Sequence, residues 1–362
     1  MTSGSGARSR MNLEILERMK LLRWARTARR GALGLATRVG LLDLVADSEW
    51  RRRRLIILGY HGVSMDEEHK WRRPLYFTAK ELEDRLTLLH RWRINVLPLP
   101  DAFDRLQAGT LPPRSAVLTF DDGNADFASI VWPMLKRFGY PGTVYATTYY
   151  SEKRHPIFSL MCSYLLWKAR ERVLTPLAEL GLDGTTDLSS AVERRRAHQL
   201  VIERARQDQL TADEQNERAA ALARRLAIDY QDLLSRRVLQ LMTPEEIRRV
   251  AEDGADVQLH THRHRAPRAL DLFEREIIDN RTRLETLISR RPEHFCYPSG
   301  VHHPEFLPLL TAQHVVTATT CEPGLATKVS PPLLLPRVID TAALTPNDLA
   351  GWLSGVGQAL HL

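Results

Sequence analysis

Residues 115–123 read Ser-Ala-Val-Leu-Thr-Phe-Asp-Asp-Gly, an apolar run that leads directly into two acidic side chains and a glycine. The apolar run predicts a strand covered on both faces, as in a parallel sheet. In parallel α/β folds functional groups lie at the carboxyl ends of strands, which is where Asp121 and Asp122 fall. Two neighbouring carboxylates repel each other unless a cation or a shared proton compensates, so one can bind a metal while the other acts as a base. For this segment alone, the alternative is an ordinary turn with a helix N-cap.

Strand and helix patterns alternate on both sides of this segment. Thr78, followed three residues later by Glu81, predicts the capping box of a helix over 77–92, and Thr243 predicts the start of another. Alternating strands and helices indicate parallel strands, and seven or eight units fit a barrel. We therefore predict the class α/β: a distorted (β/α)7 TIM-like barrel with a helical insertion and an N-terminal helical extension. The predicted strands are 55–63, 94–99, 115–120, 141–148, 255–262, 294–300, 314–320 and 333–339.

The composition changes along the chain and predicts three parts. Residues 1–54 form a basic helical extension, and residues 149–241 are rich in Arg, Glu, Ala, Leu and Gln with few strand signals. The strand–helix alternation occupies 55–148 and 242–345. The predicted barrel is therefore interrupted by one helical insertion at 149–241.

A second polar cluster, His260-Thr261-His262-Arg263-His264, also follows a predicted strand. Neutral imidazole is a common ligand of zinc and similar metals. Together with Asp122, residues His260 and His264 make a carboxylate–bis-imidazole set that leaves coordination positions open for water and substrate. His262 lies between the two and is expected to point elsewhere or to support them. For this cluster alone, the alternative is a basic loop that binds phosphate or nothing.

Charge and cysteine content limit the partners. The net charge is +7, which favours anionic partners such as acidic lipid headgroups or lipid-linked phosphates. No zinc-finger, RNP-like or helix-turn-helix signature is present, so no nucleic-acid partner is expected. The three cysteines are far apart, which argues against a disulfide framework. Arginines interrupt every apolar run in the first 50 residues, so no secretory signal is predicted and a cytoplasmic location is expected.

The N-terminal stretch 11–47 combines helical periodicity with basic side chains. A basic amphipathic stretch of this kind is typical of a peripheral contact with an anionic membrane. The alternative is a helix that packs on the main domain with its charges in water. The basic and aromatic side chains concerned are Arg18, Arg23, Trp24, Arg26, Arg29 and Arg30.

With these motifs in place, the sequence resembles the polysaccharide deacetylases, the family 4 carbohydrate esterases that share the NodB homology domain. Thr-Phe-Asp-Asp-Gly at 119–123 matches the first motif of the family, and His260-Thr261-x-x-His264 matches the second. Phe-Cys-Tyr-Pro-Ser-Gly at 295–300 looks like a variant of the third, and Tyr-His-Gly-Val at 60–63 resembles the first strand of one branch. The resemblance covers about 55–148 and 242–340.

The resemblance implies a metal-dependent hydrolase that removes an N-acyl group, in the first place acetyl, from an amino sugar of a glycan, glycolipid or lipid-linked saccharide. It implies a divalent metal, chiefly Zn2+, with Co2+, Ni2+ or Mn2+ as alternatives. In this scheme Asp121 is the catalytic base, Asp122, His260 and His264 bind the metal, and the backbone N–H of Tyr297, next to Pro298, helps to hold the oxyanion.

Two departures from the family pattern leave roles to be reassigned. Cys296 stands where the third motif often carries an arginine that orients the base, and Arg337 is the proposed replacement. The C-terminal Leu-x-His-Asp that supplies the family's general acid is absent, and His61 is the proposed substitute. The alternative for His61 is a packing histidine. Two other functions stay open: a deformylase or amidase on the same fold, and a degenerate deacetylase that acts as a binding or scaffold protein.

Overall fold

The structure is a computed structural model, and it describes residues 29–360. Seven parallel strands lie side by side in the order β13-β1-β5-β6-β9-β10-β11. The strands are β1 (Arg54–Tyr60), β2 (Gly62–Val63), β3 (Tyr76–Phe77), β4 (Asn95–Val96), β5 (Ser115–Phe120), β6 (Thr143–Ala146), β7 (Val173–Leu174), β8 (Thr186–Asp187), β9 (Asp256–Leu259), β10 (His294–Cys296), β11 (Thr317–Thr319), β12 (Ala326–Thr327) and β13 (Val338–Ile339).

Helices cover the outer face of this sheet and make up most of the remaining chain. They are α1 (29–38 within the described part), α2 (Leu41–Ala46), α3 (Glu49–Arg52), α4 (Glu68–Trp71), α5 (Ala79–Arg91), α6 (Leu99–Ala108), α7 (Trp132–Phe138), α8 (Tyr149–Lys153), α9 (Phe158–Lys168), α10 (Ala191–Gln207), α11 (Ala212–Arg225), α12 (Tyr230–Ser235), α13 (Pro244–Glu252), α14 (Leu270–Glu285), α15 (Phe306–Ala312), α16 (Pro346–Ser354) and α17 (Val356–Ala359). Among the described residues, no helix is long and apolar enough to cross a membrane.

The segment 335–339 closes the sheet into a barrel. Leu335 forms a parallel bridge to Thr319 at the end of β11, and three residues later the chain pairs with β1 through Val338 and Leu58. This segment therefore touches both edges of the sheet. This closure confirms the predicted (β/α)7 TIM-like fold class. It also fixes Arg337, which lies between the two pairings, inside the barrel wall.

The described N-terminal helices lie at the amino ends of the strands. The guanidinium of Arg51 in α3 donates to the carbonyls of Arg54 and Ser115, which are the first residues of β1 and β5. Arg114, just before β5, pairs with Asp43 and Asp47 at α2. These contacts anchor α2 and α3 at the end of the barrel away from Asp121 and Asp122.

Residues 149–241 contain five helices, α8 to α12, and the two-stranded ribbon β7–β8. This segment has its own apolar cluster, in which Met161, Leu165 and Val201 are fully or almost fully buried. Tyr76, which belongs to β3, joins the same cluster. The helical segment therefore packs against the barrel over the carboxyl end of β1.

Candidate active site

The carboxyl ends of three strands deliver acidic and imidazole side chains to one cleft. Asp121 and Asp122 follow β5, His260 and His264 follow β9, and His61 follows β1. All five line a cleft of about 530 Å³, a volume within the range of small-molecule sites. Each strand places its first loop residue at the same rim because neighbouring parallel strands end together.

Asp122 lies between the two histidines. Its Oδ1 is 3.2 Å from Nε2 of His260 and 3.1 Å from Nε2 of His264. Ligand atoms that bind one zinc ion at about 2.0–2.2 Å in a tetrahedron lie about 3.3–3.6 Å apart, so both distances from Asp122 are close to the spacing around a shared metal. These side chains thus form one group able to hold a metal ion.

The hydrogen bonding of His260 agrees with a cation in this group. Its Nδ1 is 2.8 Å from the carbonyl oxygen of Cys296, an acceptor that requires the proton on Nδ1. Neutral His260 then directs the lone pair of Nε2 toward Asp122 Oδ1, which is itself electron-rich. Such a contact is repulsive without a proton or a metal between the atoms, and the carbonyl partner is the usual way of fixing a metal-binding tautomer. The residues therefore fit a divalent metal.

The charges of the group support one another. Burial raises the pKa of Asp122, but the positive charge and the hydrogen bond of the nearby His264 outweigh it and hold this pKa well below its usual range. Burial lowers the pKa of His264, and Asp122 outweighs that effect so that the pKa is raised. Asp122 is therefore an anionic ligand throughout the physiological range.

Asp121 is bound by Arg337 through two parallel hydrogen bonds. Nη1 donates to Oδ1 at 2.7 Å and Nη2 donates to Oδ2 at 2.8 Å, and Arg337 is fully buried. Burial raises the pKa of Asp121, but the charge and hydrogen bonds of Arg337 outweigh it and leave this pKa lowered. The structure thus brings Arg337 to the carboxylate that it was expected to orient.

A second group able to hold a metal comprises Asp121, His260 and Cys296. Arg337 already occupies both oxygens of Asp121. Burial raises the pKa of the Cys296 thiol well above its usual value, and a neutral thiol is a poor ligand. The chemistry of the donors therefore favours Asp122, His260 and His264 over this alternative.

His61 lies on the other side of Asp121. Its Nε2 is 3.9 Å from Asp121 Oδ2, and the side chain is 20% exposed. Its Nδ1 is buried without a hydrogen-bond partner in the described residues. An imidazole that lines the cleft beside a carboxylate is able to transfer a proton near neutral pH.

Tyr297 and Pro298 lie behind the cleft wall rather than in it. The N–H of Tyr297 donates to the carbonyl of Thr319 at 3.2 Å, as part of the β10–β11 ladder, and its hydroxyl donates to the carbonyl of Leu333. In this structure the N–H is therefore not free to hold an oxyanion. Ser299 is the residue of this segment that reaches the cleft.

Several side chains at the cleft sit on strained backbone. Asp122, Thr261, His264 and Ser299 all have φ between 51° and 72°. Left-handed backbone is tolerated by Asp but is an outlier for a β-branched residue such as Thr261. Such strain clusters at functional sites, where the surrounding structure holds it in place.

Two buried polar residues that the sequence analysis did not select hold the histidine loop. Asn280 in α14 accepts from the N–H of His260 at 3.0 Å and donates to Thr148 Oγ1 at 3.1 Å. Thr148 in turn contacts His262 Nδ1 at 2.8 Å, so His262 supports the site instead of entering it. Asn280 shares the buried face of α14 with Phe273, Ile277 and Leu284. A polar residue on an apolar helix face was the available signal.

Other cleft-lining residues come from two segments that the motifs do not cover. The insertion contributes Tyr150, Ile157, Ser159 and Leu160, and the loop and strand after β2 contribute Arg72, Leu75 and Tyr76. Single-sequence patterns gave no signal for these positions, because only tertiary packing brings them to the rim.

The barrel and the position of the site at the carboxyl ends of its strands are those of a deacetylase-type (β/α)7 barrel. The family model described as polysaccharide deacetylase matches residues 205–317, which include His260, His264 and Cys296. The match does not extend to Asp121. Comparison with curated protein sequences gave no match. The resemblance to the polysaccharide deacetylases is confirmed.

Solved structures share the fold at low sequence identity. The deacetylase PplD of Streptococcus pyogenes, in complex with acetate, is 18% identical over 82% of this chain and 96% of its own, with a TM-score of 0.53. IcaB from Ammonifex degensii is 16% identical over 83% and 97%, with a TM-score of 0.51. The polysaccharide deacetylase BC0361 from Bacillus cereus is 15% identical over 83% and 69%, with a TM-score of 0.52.

Proposed function

We propose that the protein is a metal-dependent hydrolase that removes the N-acetyl group from an amino sugar. The observation that carries the proposal is the juxtaposition of a metal-ligand set, Asp122, His260 and His264, with a second carboxylate held by a buried arginine. The match to the polysaccharide deacetylase model supports the same reaction. The chemistry of the donors favours zinc, since mixed imidazole and carboxylate ligands with open positions are typical of catalytic zinc.

A divalent ion bound there supplies an acidified water and polarises the amide carbonyl. Asp121 accepts the proton of the attacking water. Two of its lone pairs are directed at Arg337, and a carboxylate has about two more to offer. Arg337 keeps Asp121 ionised and fixed, so the base is ready without rearrangement.

His61 donates the proton that the leaving amine requires. It lies beside Asp121 but belongs to a different strand, so the two groups can reach the reacting amide from different directions. Separate positions for base and acid are what general acid–base hydrolysis needs. The apolar side chains of Ile157 and Leu160 in the insertion cover part of the cleft and reduce the access of bulk water.

Metal analysis tests the site directly. The double variant His260→Ala/His264→Ala is expected to lose the bound metal, whereas the control His302→Ala/His303→Ala, which changes two histidines outside the cleft lining, keeps it. About one zinc per chain in the wild type is expected for a single site. Equal metal content in both double variants would overturn the assignment of the ligands. Release of formate instead of acetate would move the function to a deformylase on the same site.

A contact with an anionic membrane remains a proposal. Arg18, Arg23, Trp24 and Arg26 lie outside the described residues. The described part carries exposed Leu35, Val39, Leu41 and Leu44, which favour the membrane alternative over simple packing. Because α2 and α3 are anchored at the amino ends of the strands, this surface does not adjoin the cleft. Absence of cosedimentation with anionic vesicles would exclude the contact with the membrane. We also propose a cytoplasmic location for the protein.

A further inference from the structure

Arg72 is a cation of the cleft without a counter-ion. It follows α4 at the carboxyl side of β1 and lines the same cleft as Asp121 and Asp122. Among residues 29–360, no carboxylate pairs with its guanidinium. Burial lowers the pKa of Arg72, and the nearby Tyr76 opposes this effect without outweighing it. A half-buried guanidinium that lacks a partner is costly, and a bound anion removes that cost.

The other charges of the cleft are already matched. Arg263 pairs with Glu276 and Asp279, at 3.1 and 3.5 Å. The two acidic residues of the lining, Asp121 and Asp122, are engaged by Arg337 and by the metal-ligating histidines. Arg72 is therefore the group whose charge is left for a ligand.

The position of Arg72 is fixed by aromatic packing. Its guanidinium lies 4.5 Å from the ring centre of Trp71. Trp71 packs edge-on against Tyr164 of the insertion, with ring centres 5.2 Å apart. Tyr76 lines the cleft together with Asp122 and Arg72. The guanidinium is thus held in the wall of the same cleft as Asp121 and Asp122 before any ligand arrives.

We infer that the substrate is an amino sugar that carries an anionic group, a phosphate or a carboxylate, and that Arg72 binds this group. The inference rests on the proposed function and names its substrate class. Planar guanidinium groups bind both anions through paired hydrogen bonds. Arg72 is a specificity residue in this scheme: it contacts the anionic group of the substrate and not the acetamide.

The test compares sugars that differ in charge. Calorimetric titration of the wild type with N-acetylglucosamine 1-phosphate, N-acetylmuramic acid and methyl N-acetylglucosaminide covers phosphate, carboxylate and neutral cases. We expect at least one anionic sugar to bind about 10- to 100-fold more tightly than the neutral one, the range of one or two charged hydrogen bonds. Arg72→Gln is expected to abolish the preference. Arg73→Gln, which changes the neighbouring exposed arginine, is the matched control and should retain it.

Two further arms separate this inference from the proposed function. The preference should persist after the metal is removed with EDTA, because Arg72 is not one of the metal-ligand candidates. Absence of acetate release by the metal-loaded protein with all sugars would overturn the proposed function but not the anion site. Equal binding of neutral and anionic sugars by the wild type, or an undiminished preference in Arg72→Gln, would overturn the anion site itself.

Discussion

Arg337 and Asp121 are joined across 216 positions of sequence by two hydrogen bonds in a fully buried setting. Removal of one partner of a buried pair leaves an uncompensated charge. We expect Arg337→Gln to lower the free energy of unfolding in urea by about 3–5 kcal/mol. The control Arg105→Gln, which breaks an exposed pair with Asp101, should cost less than about 1 kcal/mol. Equal losses for the two variants would contradict the account of this pair.

His61 is expected to act in turnover and not in metal binding. His61→Gln keeps a polar side chain of similar size but cannot deliver a proton, so kcat should fall by about 10²–10⁴-fold. Metal content, measured on the same sample, should be unchanged, because His61 is absent from the two groups able to hold a metal. An unchanged kcat would assign His61 to packing.

The raised pKa of Asp126 predicts that the stability of the protein falls as the pH rises. Burial raises the pKa of Asp126 to about 7 from an ordinary value of 3.8. Because the folded pKa is the higher one, the stability from this group is complete below about pH 3.8 and is lost as the pH rises through about 7. The difference corresponds to about 4 kcal/mol.

Asp126→Asn is therefore expected to weaken the pH dependence of the unfolding free energy of the EDTA-treated protein between about pH 4 and 7. This window is bounded roughly by the two pKa values. The amide oxygen of Asn can still accept the hydrogen bond that the N–H of Val63 donates at 2.7 Å. A pH profile identical to that of the wild type would show that Asp126 is ionised in the folded protein.

At the scale of elements, local signals in the sequence predict the starts of helices well. The capping box expected at Thr78 and the helix start expected at Thr243 are both present, and 115–120 is a strand as its apolar run predicts. These features depend on neighbours within a few residues. The helix that follows Asp121 and Asp122 begins as a π-helical turn, Phe127–Val131, and continues as α7 with Pro133 in its first turn. Proline cannot donate an N–H, which explains why the regular helix begins there.

The site residues that belong to sequence motifs could be predicted from the sequence. Asp122, His260 and His264 follow strands whose order the alternation indicates, so their convergence could be expected from sequence. The pairing of Arg337 with Asp121 was predicted only from the family resemblance, and its geometry depends on closure of the barrel by residues 335–339. The cleft-facing Arg72 is set by tertiary packing, for which a single sequence carries no spacing rule, whereas Asn280 was detectable only as a polar residue on an apolar helix face.

At the scale of the whole molecule, the barrel separates two surfaces. The candidate cleft opens at the carboxyl ends of the strands, under the helices of 149–241, and the described N-terminal helices cover the opposite end. This arrangement lets the insertion form part of the cleft wall while the N-terminal helices are exposed on another surface. The proposed amide hydrolysis requires one metal and one ionised carboxylate at the same time.

Acetate release by zinc-loaded protein, measured beside the Asp121→Asn variant, tests the central claim most directly. Anionic and neutral N-acetylated amino sugars serve as substrates, and exposed Asp101→Asn is the control. We expect release by the wild type and the control, loss of release on chelation and its return with zinc, and a fall of at least about 10²-fold in Asp121→Asn with the metal still bound. Undiminished release after chelation or in Asp121→Asn would refute the proposed hydrolysis.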